Sequence, residues 1–311
     1  MIPTNYNTGD PPTNVKLQHA ILFCFIFYGP ILILPQSIKA AVFLATQGRP
    51  EEDYRHRKPF IFLILMAAIT LLVSYSLGAL ITVSRFDGSQ FGIPPSVYVV
   101  YDFAKELSIV LLYAGLVLLL AYRGSVHAAY QHTIALAVLF CMVLCSIARA
   151  LIPYPTLRPR PEWRTASDVL FQIYSALYFF ITPFIIVWSV RLHQKCLSAA
   201  SSGRTKPSRE EYLFDTNVLR RIVLMTPWLA VRAFFSLMIY ALIHHTPITT
   251  PFSWESLTLA SVVVEGMTNF IVIAISLGLG SIPERRGSLE QGGRKKHGGD
   301  DGGTIGLVVP V

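Results

Sequence analysis

The chain has 311 residues, of which 53% are hydrophobic and 14% are charged, and its formal net charge at pH 7 is +8. A soluble globular protein has about 25% charged residues, and here the apolar residues form long blocks separated by short charged stretches. This pattern excludes a soluble enzyme, a disulfide scaffold and an intrinsically disordered protein. The basic residues lie in the gaps between apolar blocks, as in membrane proteins, so the positive charge does not indicate a nucleic-acid partner.

Seven blocks are long enough to cross a hydrocarbon core of about 30 Å, which takes about 20 consecutive apolar residues in a helix. The alternating segments typical of a β-barrel are missing. The sequence therefore predicts an all-α polytopic membrane protein, a seven-helix bundle at residues 18–280 that comes after an extramembrane segment at 1–17. The predicted spans, numbered 1 to 7, cover approximately residues 18–45, 60–83, 95–121, 130–152, 167–192, 222–245 and 256–279.

The first block differs from a secretory signal in its length and in its C-terminal flank. It is too long for the apolar region of a signal, it contains Pro30 and Pro35, and no small-residue cleavage site comes after it. We therefore expect a retained and kinked first span.

The distribution of Lys and Arg between the loops predicts the orientation. The loops after spans 1, 3 and 5, together with the C-terminal tail, contain 17 of these residues, whereas the N-terminal segment and the other loops contain five. This bias places the N-terminus outside or in a lumen and the C-terminus in the cytosol. The tail at residues 281–311 is Gly-rich and basic, and we expect it to be disordered.

No feature of the chain indicates a cofactor. It has no Gly-rich phosphate loop and no extramembrane catalytic domain, which excludes an ATP-driven machine. Cys141 and Cys145 lie one helical turn apart in span 4, but no His or Asp completes a metal-binding set. We expect no cofactor and no metal ion, and the expected partners are membrane lipid and a hydrophobic small molecule.

The most informative residues are ionisable groups inside the spans, which cost several kcal/mol unless they are paired or hydrated. Three are acidic and three are basic, so the set is formally neutral and we expect mutual pairing. The rise per residue places Glu106, Glu265 and Arg232 within about 5 Å of the bilayer midplane. The six residues are Asp102, Lys105 and Glu106 in span 3, Arg149 in span 4, Arg232 in span 6 and Glu265 in span 7.

Helical spacing places polar residues on one face of each of four spans, and together these faces predict a pocket in the outer half of the bundle. Its aromatic walls suit an apolar ligand with one or two polar groups. The faces comprise Tyr98, Asp102, Lys105 and Glu106 in span 3; Asp168, Gln172, Ser175, Phe179 and Thr182 in span 5; Trp228, Arg232, Phe235, Ser236 and Tyr240 in span 6; and Ser261, Glu265, Thr268, Asn269 and Ser276 in span 7. The candidate ligand-binding residues are Arg232, Lys105, Tyr98, Gln172, Asn269, Tyr240 and Trp228.

A purely structural role competes with this interpretation. A buried pair of Arg232 with Glu265 or with Glu106 can simply lock helix packing, and ion networks of both kinds look the same in a sequence. Arg149 is near the interface, where we expect its side chain to extend to the headgroups.

Three classes of function fit these residues. The first is a binder or translocator of a lipid or another hydrophobic metabolite. The second is a membrane-embedded terpene cyclase or isomerase, with Glu265, Glu106 and Asp102 as candidate catalytic residues and tyrosine walls that stabilise cations. The third, a seven-helix receptor, is disfavoured because span 7 has no lysine for a retinal Schiff base and span 3 has no acidic-Arg-aromatic triplet at its inner end.

Seven compact spans, an outer N-terminus and a polar basic tail resemble the fungal seven-helix integral membrane proteins. That group includes lipid-translocating exporters and membrane proteins of specialised-metabolite clusters, among them those for indole diterpenes. The local match is the stretch from Pro227 to Arg232, a Pro-x-x-x-x-Arg pattern, together with Glu265 in the last span. The resemblance covers residues 18–280 and implies lipid or isoprenoid metabolism in the endoplasmic reticulum or plasma membrane. Fungal membrane-bound terpene cyclases are also seven-helix proteins with paired carboxylates.

Overall fold

The computed structural model describes residues 15–46, 57–86, 93–123, 128–152, 161–201, 209–245 and 254–280. These residues form seven helices that are long and apolar enough to cross a membrane, which confirms the predicted all-helical, seven-span architecture. The predicted tail at residues 281–311 lies outside the described residues. The helices are α1 (Val15–Thr46), α2 (Arg57–Phe86), α3 (Pro95–Arg123), α4 (Ala128–Leu151), α5 (Pro161–Ser201), α6 (Arg209–His245) and α7 (Trp254–Gly280).

The helix ends differ most from the sequence prediction between α5 and α6. The sequence predicts a long connection there, but α5 continues to Ser201 and α6 begins at Arg209. The residues after the membrane span include Gln, Lys and Leu, which favour helix, so the length of the apolar block underestimates the length of the helix. Most of the predicted connection is therefore helical.

The seven helices form a closed ring. Each helix packs against the next one along the chain, and α1 packs against α7. Two further pairs, α2 with α7 and α3 with α5, contact each other across the ring. In α3, 61% of the most apolar segment is buried, compared with 28% to 44% in the other helices. Polar side chains of α3 therefore face neighbouring helices.

Proline changes the geometry of α1 without ending the helix. The chain is α-helical at Val15–Ile26, π-helical at Phe27–Ile33 and α-helical again at Leu34–Thr46, and Pro30 lies inside the π-helical segment. Proline lacks a backbone N–H and clashes with the carbonyl four residues earlier, and a π-helical turn relieves this conflict by adding one residue to the turn. The predicted kink corresponds to this segment.

Glycines let α1 approach its two neighbours closely. A Cβ atom on Gly266 of α7 would lie 2.4 Å from the Tyr28 ring of α1, and one on Gly78 of α2 would lie 2.6 Å from the Phe25 ring. Both rings are buried. The rings of α1 therefore occupy notches that only glycine leaves open, as in other close contacts between membrane helices.

We expect Gly266→Ala to lower the free energy of unfolding by about 1–3 kcal/mol, because the added methyl group overlaps a buried ring. Thermal unfolding of the purified protein in a nonionic detergent would measure the loss. Gly278→Ala is the matched control, since the nearest atom there is the terminal Nη1 of Arg221, at 3.0 Å, on a flexible side chain. An equal loss in both variants would contradict the packing argument.

Candidate functional site

The ionisable residues of α3 lie on one face but reach two different neighbours. Asp102 and Glu106 are one helical turn apart and face α4, whereas Lys105 reaches α7. The helical spacing of these residues predicts their common face, and the contacts confirm that they join α3 to other helices. Two separate charge clusters result.

The first cluster is centred on Arg149 of α4. Its Nη1 donates to Oε1 of Glu106, and its Nη2 lies 3.8 Å from Oδ2 of Asp102. The guanidinium also lies over the ring of Phe171, 4.8 Å from the centroid. The Arg149 side chain is 10% exposed, so the prediction that it extends to the headgroups is wrong. Two carboxylates on the facing helix stabilise the charge better than a partial approach to the membrane surface.

The backbone next to this cluster is also fixed. The hydroxyl of Tyr174 on α5 donates to the backbone carbonyl of Glu106 at 3.1 Å. Tyr174 is buried. The position of Glu106 is therefore set by contacts with α4 through its side chain and with α5 through its backbone.

The second cluster joins α3 to α7. Lys105 Nζ lies 2.7 Å from Oε2 of Glu265, and the hydroxyl of Ser261 donates to Oε1 of the same carboxylate at 3.1 Å. The side chains of Lys105 and Glu265 are 30% and 16% exposed. In the described part of the chain α3 and α7 do not pack extensively against each other, so these two long side chains link the helices.

Arg232 of α6 has a different environment from the other two cations. It is 3% exposed, and its Nη1 donates to the side-chain oxygen of Asn269 on α7. Among the described residues it has no carboxylate within 4.0 Å, so the predicted pairing with Glu265 or Glu106 is wrong. Those two acids are instead paired with Lys105 and Arg149. The Nη2 atom of Arg232 is buried and has no hydrogen-bond partner in the described part of the chain.

Buried tyrosines from three helices lie near Arg232. The guanidinium is within electrostatic range of Glu265 on α7 and of Tyr75 of α2, Tyr113 of α3 and Tyr178 of α5. The hydroxyl of Tyr75 accepts a hydrogen bond from Nδ2 of Asn269 at 3.4 Å. The hydroxyl of Tyr113 lies 2.9 Å from that of Thr182. Side chains of five helices therefore meet at the level of Arg232.

The other predicted ligand-binding residues divide into three groups. Tyr98 and Trp228 are partly buried on α3 and α6, and the side chain of Tyr240 lies outside the described residues. Gln172 is exposed, and it lies on the side of α5 opposite to the buried Tyr174. The prediction that Gln172 faces the interior is therefore wrong, because the buried face of α5 is the one that carries Tyr174, Tyr178 and Thr182.

Two tyrosines outside the predicted set of ligand-binding residues belong to the site. Tyr113 is fully buried and lies seven residues after Glu106, so it continues the predicted face of α3. Extending that stripe by two turns would have identified it. Tyr75 lies in an apolar span with no charged neighbour, and its spacing carries no comparable signal.

Comparisons with protein-family models, with curated proteins and with solved structures find no match to this chain.

We expect Arg149→Gln to destabilise the protein by about 3–5 kcal/mol, because it leaves the buried carboxylate of Glu106 without its cation. Glu106→Gln in the same chain should recover much of the loss, since it removes the unpaired charge. Thermal unfolding of the wild type, both single variants and the double variant gives the coupling free energy. Additive losses would mean that the two side chains do not act as a pair.

Proposed function

We propose that this chain is a multi-pass membrane protein that binds a hydrophobic small molecule bearing a polar group and carries it, or presents it to a partner, in lipid or isoprenoid metabolism. One observation carries the proposal. Ionisable side chains of α3, α4 and α7 meet inside an otherwise apolar bundle, and Lys105 and Asp102 remain about one third exposed there.

Partial exposure inside a bundle has a physical consequence. A charge surrounded by hydrocarbon is unstable unless water or polar groups reach it. The Lys105–Glu265 pair links α3 to α7, and both of its side chains are more exposed than that of Glu106. The pair is therefore available to a ligand's polar group. The buried tyrosines below it supply amphipathic walls, which suit a largely apolar molecule.

Acid catalysis of terpene cyclisation is a second candidate, and the ion pairs disfavour it. Such a reaction needs a protonated carboxyl group in a dry site. Glu265 and Glu106 each face a cation in direct contact, which stabilises the ionised carboxylate. Asp102 is the exception, since it lies 3.8 Å from Arg149 and accepts no hydrogen bond from it. The enzyme hypothesis therefore depends on Asp102.

The proposal includes an orientation and a setting. The excess of Lys and Arg in alternate loops supports an N-terminus outside or in a lumen and a cytosolic C-terminus. The resemblance to fungal seven-helix proteins supports the endoplasmic reticulum or plasma membrane of a fungus and a role in specialised terpenoid metabolism.

Epitope tags at the two termini test the orientation. In sealed microsomes we expect protease to remove a C-terminal tag and to spare an N-terminal tag until detergent is added. The physical reason is that basic loops are retained on the cytosolic side. A protected C-terminal tag would reverse the proposed topology.

The double variant Lys105→Met/Glu265→Gln tests ligand binding, because it removes both charges together and leaves neither one unpaired. We expect it to lose a hydrophobic metabolite that copurifies with the wild type in nonionic detergent, as measured by mass spectrometry of organic extracts. Lys39→Met is the matched control, since Lys39 is exposed on α1. An unchanged set of copurifying molecules in the double variant would contradict the proposal.

Metabolite profiles of a deletion strain separate the two candidate functions. A carrier predicts altered export with unchanged intracellular chemistry. Accumulation of an uncyclised precursor, corrected by the wild type but not by Asp102→Asn, would establish the enzyme instead.

A further inference from the structure

The six ionisable residues predicted inside the spans are balanced in number, three acidic and three basic, but not in position. Arg149 is shared by two carboxylates, and Lys105 is matched by one. In the described part of the interior, Arg232 alone among the cations has no carboxylate within 4.0 Å. The region around Arg149 therefore has one surplus negative charge, and the region around Arg232 has one surplus positive charge.

We propose that Arg232 is the centre of an oxyanion-binding subsite, which receives the carboxylate or phosphate group of a ligand between α2, α6 and α7. This inference rests on the proposed function, because it specifies the chemistry of the ligand's polar group. A guanidinium without a contacting anion is costly in a low-dielectric interior, and an oxyanion bound at this position reduces that cost.

The hydrogen-bond donors around Arg232 support an anion in particular. The buried Nη2 atom of Arg232 has no partner among the described residues. The hydroxyl of Tyr75 accepts from Asn269, and no described group accepts the hydrogen of that hydroxyl. Asn269 links the two residues, since its oxygen accepts from Arg232 and its nitrogen donates to Tyr75. Donors without acceptors therefore accumulate at one level of the bundle.

Glu265 and Glu106 are not free to fill this role. Glu265 lies one helical turn from Asn269 along α7, but its two oxygens contact Lys105 and Ser261. Glu106 contacts Arg149. Moving Glu265 to Arg232 would leave Lys105 without a carboxylate, and moving Glu106 would leave Arg149 only its longer contact with Asp102, at 3.8 Å.

The geometry of guanidinium favours an oxyanion over other anions. Its planar fork of N–H groups matches the two oxygens of a carboxylate or phosphate. One side of the Arg232 fork is already held by Asn269, so the free Nη2 presents its hydrogens in a fixed direction. The chemistry is the same whether the oxyanion is the headgroup of an amphiphile or a free ion.

Binding of farnesyl phosphate and of farnesol to the full chain in nonionic detergent micelles tests the subsite, because the two probes share a tail and differ in the headgroup. We expect the wild type to bind farnesyl phosphate at least about tenfold more tightly than farnesol. In Arg232→Gln this preference should disappear. Lys39→Gln is the matched control, since it removes an exposed positive charge from α1 and should leave the preference unchanged.

Two additional measurements complete the design. Tyr75→Phe removes one donor with little change of shape, so it should reduce the preference for farnesyl phosphate over farnesol several-fold. This variant still tests the subsite if Arg232→Gln fails to fold. Thermal unfolding with inorganic phosphate at constant ionic strength distinguishes the two sources. A rise in Tm of the wild type that is absent in Arg232→Gln supports a free oxyanion, and a response to farnesyl phosphate alone supports a headgroup.

Three outcomes would overturn the subsite. If both probes bind equally well to the wild type, ligand binding stands but the oxyanion subsite does not. A preference that persists in Arg232→Gln and Tyr75→Phe would place the anion elsewhere. If neither probe nor phosphate has an effect and Arg232→Gln only lowers the Tm, Arg232 has a purely structural role, and the proposed binding of isoprenoids fails with it.

Discussion

A charge between apolar helices is stable only when an opposite charge or a sufficient set of hydrogen bonds accompanies it. In this bundle α3 supplies most of the compensation, because it contributes Asp102, Lys105 and Glu106 within little more than one turn. The opposite charges come from Arg149 of α4 on one side and from Glu265 of α7 on the other. The relative positions of α3, α4 and α7 therefore depend on these ion pairs, because removing one partner alone leaves a buried charge unmatched.

The packing of α1 against α7 also affects the site. Gly266, which receives the Tyr28 ring, is adjacent to Glu265, and successive residues are about 100° apart around a helix. When Tyr28 is seated in this notch, the rotation of α7 is fixed with Glu265 turned toward α3 and Asn269 turned toward α6. A contact between an aromatic ring and a glycine thus orients two polar residues that it does not touch.

The sequence predicts the helices far better than it predicts their contacts. Seven spans follow from the length of the apolar blocks, and the face of α3 follows from its 3.6-residue period. The sequence does not predict the partner of Arg149. Its short distance to the membrane interface suggests a side chain that extends to the headgroups, and the two facing carboxylates come near it only when α3 packs against α4. The prediction that Gln172 faces the interior is wrong for a related reason. Polarity suggests that it faces inward, but Tyr174 and Tyr178 have more apolar surface to bury and occupy the inner face of α5.

The pairing of Arg232 shows why a neutral sum of charges is a weak guide to the interior of a membrane protein. Coulomb attraction weakens as the distance between two charges grows, and dehydration depends on the surroundings of each group, so a distant opposite charge compensates a buried charge only in part. Asp102 and Glu106 are one turn apart on α3, which lets a single arginine on α4 contact both. Arg232 lies across the ring with an amide and tyrosines around it. Apart from the longer-range attraction of Glu265, compensation for Arg232 therefore comes from hydrogen bonds or from a group that the described part of the chain does not contain.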